Sequence, residues 1–510
     1  QFHPEWHMQL AALSDREEVL NLDARKTTHP IQTPVLTEEQ AADAFDAITY
    51  TKGEAFLRML EAYLGEEPFR KGIRAYMAKH QYSNTTSADL WAALEKASGK
   101  PVQKLASDWT TQPGFPLLKV DQVCENGKRR TTIAQEQYRL DEAATEKRLW
   151  NVPVQLATVN GKPWTILLSG ASTTLVTPGC EGPLVVDPVG VGYFRVQYDK
   201  ASFDALAGQV DKLPDAERHR LLADSWSLVQ SGRASLETHL KLLARYRDEP
   251  RVAIWSTLVA SLESLDTLAG EGPERALARR NAIALLTPKF AALGWQEKAG
   301  ESSDERQLRP LLARALAKAG DVDALAKGRA LLVTYLADPN SVSPAMSEFA
   351  IDVAARQADP ALYDLLVARA TAAPSAEERE RFSAALARAS DPALAKRTLQ
   401  LALSTSLPAQ VTSRIVPSVA QNGHLSEAWA FALEHREALL KDQEAVNQNS
   451  WFPSLVSSSA NPADADMMER YVAANFGPDA QVEAQRVGNA IRTRAMQRER
   501  LLPQLRATLK

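Results

Sequence analysis

The chain has 510 residues and a net charge of −4, from 59 Lys and Arg against 63 Asp and Glu. It has no strongly basic stretch, so nothing in it is suited to gripping a nucleic-acid backbone. No apolar run is read as membrane-spanning, and the length suits roughly three ordinary domains.

Two cysteines, Cys124 and Cys180, are too few for a disulfide framework or a structural zinc ribbon. One disulfide within the region they share and two buried thiols both stay open. Gln1–Leu20 has neither the charged start nor the apolar stretch of a secretory signal. The expectation is a chain that begins inside a larger protein.

The first 114 residues read as helical. Phe56, Leu57, Leu60 and Leu64 recur at helical spacing after Lys52-Gly53, which puts Tyr50 near a helix start. Pro68 suits a first turn, with Phe69, Ile73, Tyr76 and Met77 along one face beyond it. Ser87 is the expected cap of a helix carrying Leu90, Trp91 and Leu94, closed by Gly99 and Pro101. These apolar faces have no sheet to rest on, as in the second half of a mixed domain.

The period changes at Gln112-Pro113-Gly114-Phe115-Pro116. Short runs rich in Val, Thr, Leu and Ile follow, among them Leu149–Val159, Thr165–Leu168 and Gly192–Tyr198, with a hairpin expected at Asn160-Gly161. The segment 115–199 is predicted to be a small antiparallel β-sandwich.

From about Lys200 the chain reads as helical and alanine-rich to its end. Leu221, Leu222, Ser225, Trp226 and Val229 make one inward stripe that Gly232 stops. Asp359-Pro360-Ala361-Leu362 and Asp391-Pro392-Ala393-Leu394 begin 32 positions apart, each offering an Asp cap and a first-turn proline. That spacing suggests stacked helical hairpins.

The stretch Phe45-Asp46-Ala47-Ile48-Thr49-Tyr50-Thr51-Lys52-Gly53 is the most specific in the chain. It resembles the F-D-x-I-x-Y-x-K-G segment of the zinc aminopeptidases related to aminopeptidase N and puromycin-sensitive aminopeptidase. Four further phrases resemble that family in order: Pro4-Glu5-Trp6, Leu22-Asp23-Ala24-Arg25 through His29-Pro30-Ile31, Asp108–Pro116, and Gly192-Tyr193-Phe194-Arg195-Val196-Gln197-Tyr198-Asp199. Val411–Trp429 and the last helix are similar to the family's C-terminal helical region.

The resemblance implies a multi-domain α+β chain. It would hold the helical C-terminal half of a thermolysin-like catalytic domain (1–114), a small antiparallel β-sandwich (115–199) and a large helical, solenoid-like domain of HEAT or armadillo kind (200–510). It also implies release of N-terminal residues from peptides, with one catalytic zinc as cofactor. Tyr50 would be the catalytic residue that donates a hydrogen bond to the oxyanion formed as zinc-bound water attacks the carbonyl. A phenol is still a proton donor at neutral pH, which suits that task.

The family's zinc motif, H-E-x-x-H with a later glutamate, is not in this chain, and neither is its G-x-M-E-N loop. No metal ligand is therefore expected among these residues. Both motifs are expected upstream of Gln1, in an N-terminal half that this chain would need as its partner, and the fragment alone is expected to be inactive.

Plainer readings stand beside these. Tyr50 could be a half-buried tyrosine bonded to a nearby carbonyl. His3 and His7 stand four apart, but Pro4 interrupts the turn and no third ligand follows, so a metal site there is disfavoured. His29, before Pro30, reads as fixing a loop. Lys52 reads as an ion-pair partner and Gly53 as room for close helix packing or for substrate backbone, with structural duty favoured for both. Trp91, Trp109, Trp226 and Trp429 are expected in cores, and Glu377-Glu378-Arg379-Glu380-Arg381 on a solvated face. A non-catalytic helical-repeat scaffold binding protein or peptide is the alternative.

Overall fold

The computed structural model describes residues 3, 6–36, 40–41, 44–141, 147–159, 161–441 and 443–509. The chain divides into two compact units, Gln1–Ser261 and Leu262–Lys510. Pro4 and Glu5 of the first family phrase, and Asn160 of the expected hairpin, lie outside the described residues.

In the first unit, helix α1 (Met8–Asp23) is followed by a π turn, Ile48–Lys52, that runs directly into α2 (Gly53–Leu64). Ala55, Phe56, Met59, Leu60 and Leu64 form the buried face of α2, and Gly65 ends it at φ 94°. Next come α3 (Glu66–His80), α4 (Ser87–Ser98) and α5 (Val102–Thr111). Pro68 does sit in the first turn of α3, but Met77 is exposed and leaves the inward face to Phe69, Ile73 and Tyr76.

The cap of α4 is Thr86, not Ser87. Thr86 forms a reciprocal box with Asp89, whose carboxylate accepts from the Thr86 backbone N–H at 3.0 Å. Gly72 lets α3 and α4 approach closely, since a Cβ there would lie 2.8 Å from Leu94 Cδ2.

The sandwich has a four-stranded sheet of β1 (Pro116–Glu125), β2 (Lys128–Gln137), β5 (Ser172–Pro178) and β7 (Arg195–Tyr198), in the order β5-β2-β1-β7. The facing sheet is β4 (Trp164–Leu168), β3 (Val152–Thr158) and β6 (Leu184–Val186), in the order β4-β3-β6. It is not wholly antiparallel: β7 pairs with β1 in parallel, Leu117 opposite Arg195. The chain visits the second sheet twice, at β3–β4 and at β6, before its last strand returns beside the first.

The β1–β2 hairpin turns at Asn126-Gly127, with φ of 53° and 72° as a two-residue turn of this twist requires. Cys124, near the end of β1, and Cys180, just after β5, form a disulfide with Cα atoms 5.9 Å apart.

One apolar core runs from the helices into the sandwich. At its centre the Trp109 ring lies 6.1 Å from Phe56, 6.3 Å from Trp150 and 6.3 Å from Tyr193, and its indole N–H donates to the Asn151 carbonyl at 3.0 Å.

After α6 (Lys200–Ala207) comes α7 (Asp215–Gln230), which is buried on every side from Glu217 to Val229. The expected single stripe is therefore only part of its buried surface. The rest carries Arg218, His219, Arg220 and Asp224, which bond to neighbouring elements.

Helices α8 (Leu236–Leu243) and α9 (Val252–Ala269) follow. By length and composition α9 could cross a membrane, with mean hydropathy 1.2 over 18 residues, so the reading that no run reaches that length is corrected. More than half of that window is buried inside the protein, among it Trp255, Leu258 and Leu262. Core packing accounts for its apolarity.

Among the described residues every regular element of the second unit is a helix, and successive helices pack as pairs, for example Val322–Ala337 with Pro344–Arg356 and Pro360–Thr371 with Ala376–Leu386. Asp359 and Asp391 cap their helices as expected, accepting from the N–H groups of Leu362 and Ala393, with Pro360 and Pro392 in the first turns. The final helix, Pro478–Thr508, returns to Pro273–Leu293, where Arg506 donates to Glu274 at 2.9 Å.

Candidate active site

Tyr50 lies in the middle of the π turn and is 60% exposed. Among the described residues its hydroxyl has no hydrogen-bond partner, and its ring leans on that of Phe45, 6.0 Å away. Ile48 and Lys52, two residues to either side, point inward and are buried. A π turn widens the backbone ring by one residue and is frequent at functional sites.

Asp46 holds the start of this turn. Its Oδ1 accepts from the Thr49 N–H at 2.8 Å, and its backbone carbonyl accepts from the Tyr50 N–H at 3.1 Å. Its Oδ2 meets His29 Nε2 at 2.5 Å, and His29 Nδ1 lies 2.8 Å from the Pro30 carbonyl. His29 thus fixes a loop, as read, and the loop it fixes is joined to the tyrosine's turn.

Lys52 holds the other end. Its side chain is fully buried, with Nζ 3.0 Å from Asp23 Oδ2 and donating to the Gly114 carbonyl at 2.9 Å. Asp23 also accepts from the Gly114 N–H at 2.9 Å, from the Tyr193 hydroxyl at 3.2 Å and from Thr28 Oγ1. Burial first, and then the Asp23 carboxylate, push the Tyr193 phenol well above its ordinary range. Four of the phrases read from the sequence therefore meet at one buried carboxylate: the Asp23 segment, the Tyr50 segment, the Gln112–Pro116 exit and the Gly192–Asp199 strand.

A second network binds that strand to α1 and α7. Arg195 pairs with Glu17 and, at 3.2 Å, with Asp224. Burial opposes the Arg195 charge, but Glu17 and Asp224 outweigh it and raise its pKa. Arg16 donates to the carbonyls of Gly190 and Gly192 at 2.6 and 2.9 Å, and its pKa falls to about 10 through burial and the nearby Arg220.

A groove of about 880 Å³ runs beside the π turn, lined by Thr51 of the turn, by residues of α1 and by Glu54 and Arg58 of α2 among others. Thr51 adjoins Tyr50, but Tyr50 is not itself among the lining residues. His3 stacks on Trp6 at 4.2 Å, and His7 Nε2 lies 2.7 Å from Arg251 Nη1. Among the described residues no three His, Cys, Asp or Glu side chains come together as a metal site.

Sequence reasoning missed the roles of Asp23 and Asp46, although both stood inside quoted phrases. The position of Asp46, three residues before Thr49, is a recognisable capping offset. Nothing local marks Asp23 as the partner of Lys52.

Residues 1–109 match the family model described as the Peptidase family M1 domain, and residues 184–493 match that of the ERAP1-like C-terminal domain. The chain is similar to Aminopeptidase M1-A of Oryza sativa, at 30% identity over 92% of this chain and 54% of the relative. It is similar to the puromycin-sensitive aminopeptidase of Caenorhabditis elegans, at 30% identity over 71% of this chain and 40% of the relative. It is 32% identical to the tricorn protease-interacting factor F2 of Thermoplasma acidophilum, over 60% of this chain and 37% of the relative. The chain spans about half the length, or less, of these curated relatives. With two family models matched in order, the second over more than half of the residues, the chain belongs to the M1 aminopeptidase family.

Proposed function

We propose that this chain is the C-terminal part of an aminopeptidase that releases N-terminal residues from peptides. In this reading Tyr50 donates a hydrogen bond to the oxyanion that develops at the first peptide carbonyl. One observation carries the proposal: Tyr50 stands exposed on a π turn whose two ends are tied down through Asp46 and Lys52. A donor aimed in advance needs no reorganisation during reaction, which is why such groups weigh heavily on rate. The names of the rice and nematode relatives support a peptide substrate with a free amino end.

The zinc that the resemblance implies finds no fitting ligand set among the described residues. In this reading its ligands belong to sequence beyond these 510 residues, and the chemistry derivable from this chain is that of Tyr50. The reading keeps a three-part organisation: the helical second half of a thermolysin-like catalytic domain over 1–114, a β-sandwich over 115–199, and a helical domain over 200–510. Stacking of the HEAT or armadillo kind in the last part is supported by the repeated Asp-Pro helix starts.

The test is Tyr50→Phe in the full-length protein, assayed on aminoacyl anilides. Loss of the donor should lower kcat by about 10²- to 10³-fold with little change in KM. An unchanged kcat would overturn the proposal.

A further inference from the structure

We propose that His29 and Asp46 act as a positioning pair for Tyr50, an inference that rests on the reading of Tyr50 given above. The argument begins with the turn. A π turn holds one residue more than an α turn, so relaxing it by a residue would swing Tyr50 by about 100° around the helix axis. The direction of the hydroxyl thus depends on how the start of the turn is anchored.

Two hydrogen bonds hold it there, and both end on Asp46. The carboxylate takes the Thr49 N–H and the backbone carbonyl takes the Tyr50 N–H, at 2.8 and 3.1 Å. The second carboxylate oxygen is held by His29 Nε2, so Asp46 cannot rotate away from Thr49 without breaking that contact.

Both ring nitrogens of His29 face oxygen acceptors, Asp46 Oδ2 and the Pro30 carbonyl. The ring is thus held at both edges, which fixes its orientation against Asp46. The loop carrying His29 is in turn tied to α5, where the Gln32 N–H donates to the Thr110 carbonyl at 2.8 Å. The turn is therefore braced against the body of the unit by a route independent of α2.

The burial of the two clamps separates their duties. Lys52 and Asp23 are fully buried, whereas the His29 and Asp46 side chains are 36% and 33% exposed. A pair only partly buried adds less to stability than the buried one, so its removal should change the aim of the turn more than the stability of the fold.

The experiment uses the full-length protein with Asp46→Ala, Asp46→Asn and His29→Ala, each alone and combined with Tyr50→Phe. Asp46→Ala should lower kcat by about 10- to 100-fold, with KM within about twofold. Asp46→Asn, which keeps an acceptor for Thr49, should lose less. In the Tyr50→Phe background Asp46→Ala should cost almost nothing more, because the group it aims is gone. A kcat unchanged by Asp46→Ala, or losses that multiply fully with Tyr50→Phe, would overturn the inference while leaving Tyr50 as the donor. Activity retained by Tyr50→Phe alone would overturn both. If Asp46→Ala lowers the melting temperature, the isosteric Asp46→Asn carries the same test.

Discussion

Replacing Lys52 with methionine isolates the energetics of the hub beneath Tyr50. Methionine fills most of the lysine volume, so packing changes little and the loss is electrostatic. It leaves the Asp23 carboxylate fully buried without its counter-ion, and removing one partner of a buried pair costs about 3–5 kcal/mol. Asp23 keeps the donors of Gly114, Tyr193 and Thr28, which places the loss near the lower end, about 3 kcal/mol. The Gly114 carbonyl also loses its Lys52 donor. For a unit of this size each kcal/mol moves the midpoint by about 2–4 °C, so the first unit should melt about 6–12 °C earlier. Differential scanning calorimetry of the 510-residue chain reads this directly. Adding Asp23→Asn should recover part of the loss, since no uncompensated charge is then buried. A midpoint within 1 °C of the parent's would refute the idea that this pair braces the Tyr50 turn.

Reduction of the Cys124–Cys180 disulfide releases a loop spanning 56 positions, and the chain-entropy account puts the loss at about 4 kcal/mol. A melting curve that does not move in excess dithiothreitol would contradict that role. His239 is fully buried between the hydroxyls of Ser225 and Ser261, and burial pushes its pKa down to about 3. The unfolded chain, with histidine near 6.5, then binds the proton more readily, so stability is full above about pH 6.5 and falls as pH drops towards 3. Thermal melts from pH 7 to 4 should show this slope, and His239→Gln should lessen it, with buried His219, its pKa lowered to about 4, supplying part of the rest. Equal slopes in the two proteins would count against it.

The sequence was most legible where one residue type serves one local need. Gly99 ends α4 in the left-handed region at φ 68°, and Asp359 and Asp391 cap their helices. Tyr50 was legible from its surrounding segment alone, and its π geometry was not, because wide and ordinary turns share one apolar pattern. Thr86 and Ser87 are equally good caps by type, and the choice depended on whether Asp89 could answer three residues on. The Asn126-Gly127 turn carried a strong hairpin signal that attention to Asn160-Gly161 passed over. The parallel pairing of β1 with β7 had no signal in either strand, because direction is set by the path between them.

The charged groups on α7 and beneath Tyr50 answer a different constraint. An apolar core alone would hold these segments together about as firmly, since buried ion pairs often match well-packed hydrophobic groups in stability at best. What Asp23 adds is a demand for particular partners: a hydroxyl from Tyr193, an N–H from Gly114 and an ammonium from Lys52, all at bonding distance at once. Slippage of α2 by one residue would bury an unpaired lysine and carboxylate, a cost that slippage in an oily interface does not carry. The residues flanking Tyr50 therefore fix its register, and their chemistry is legible only when the distant segments that complete it are in place.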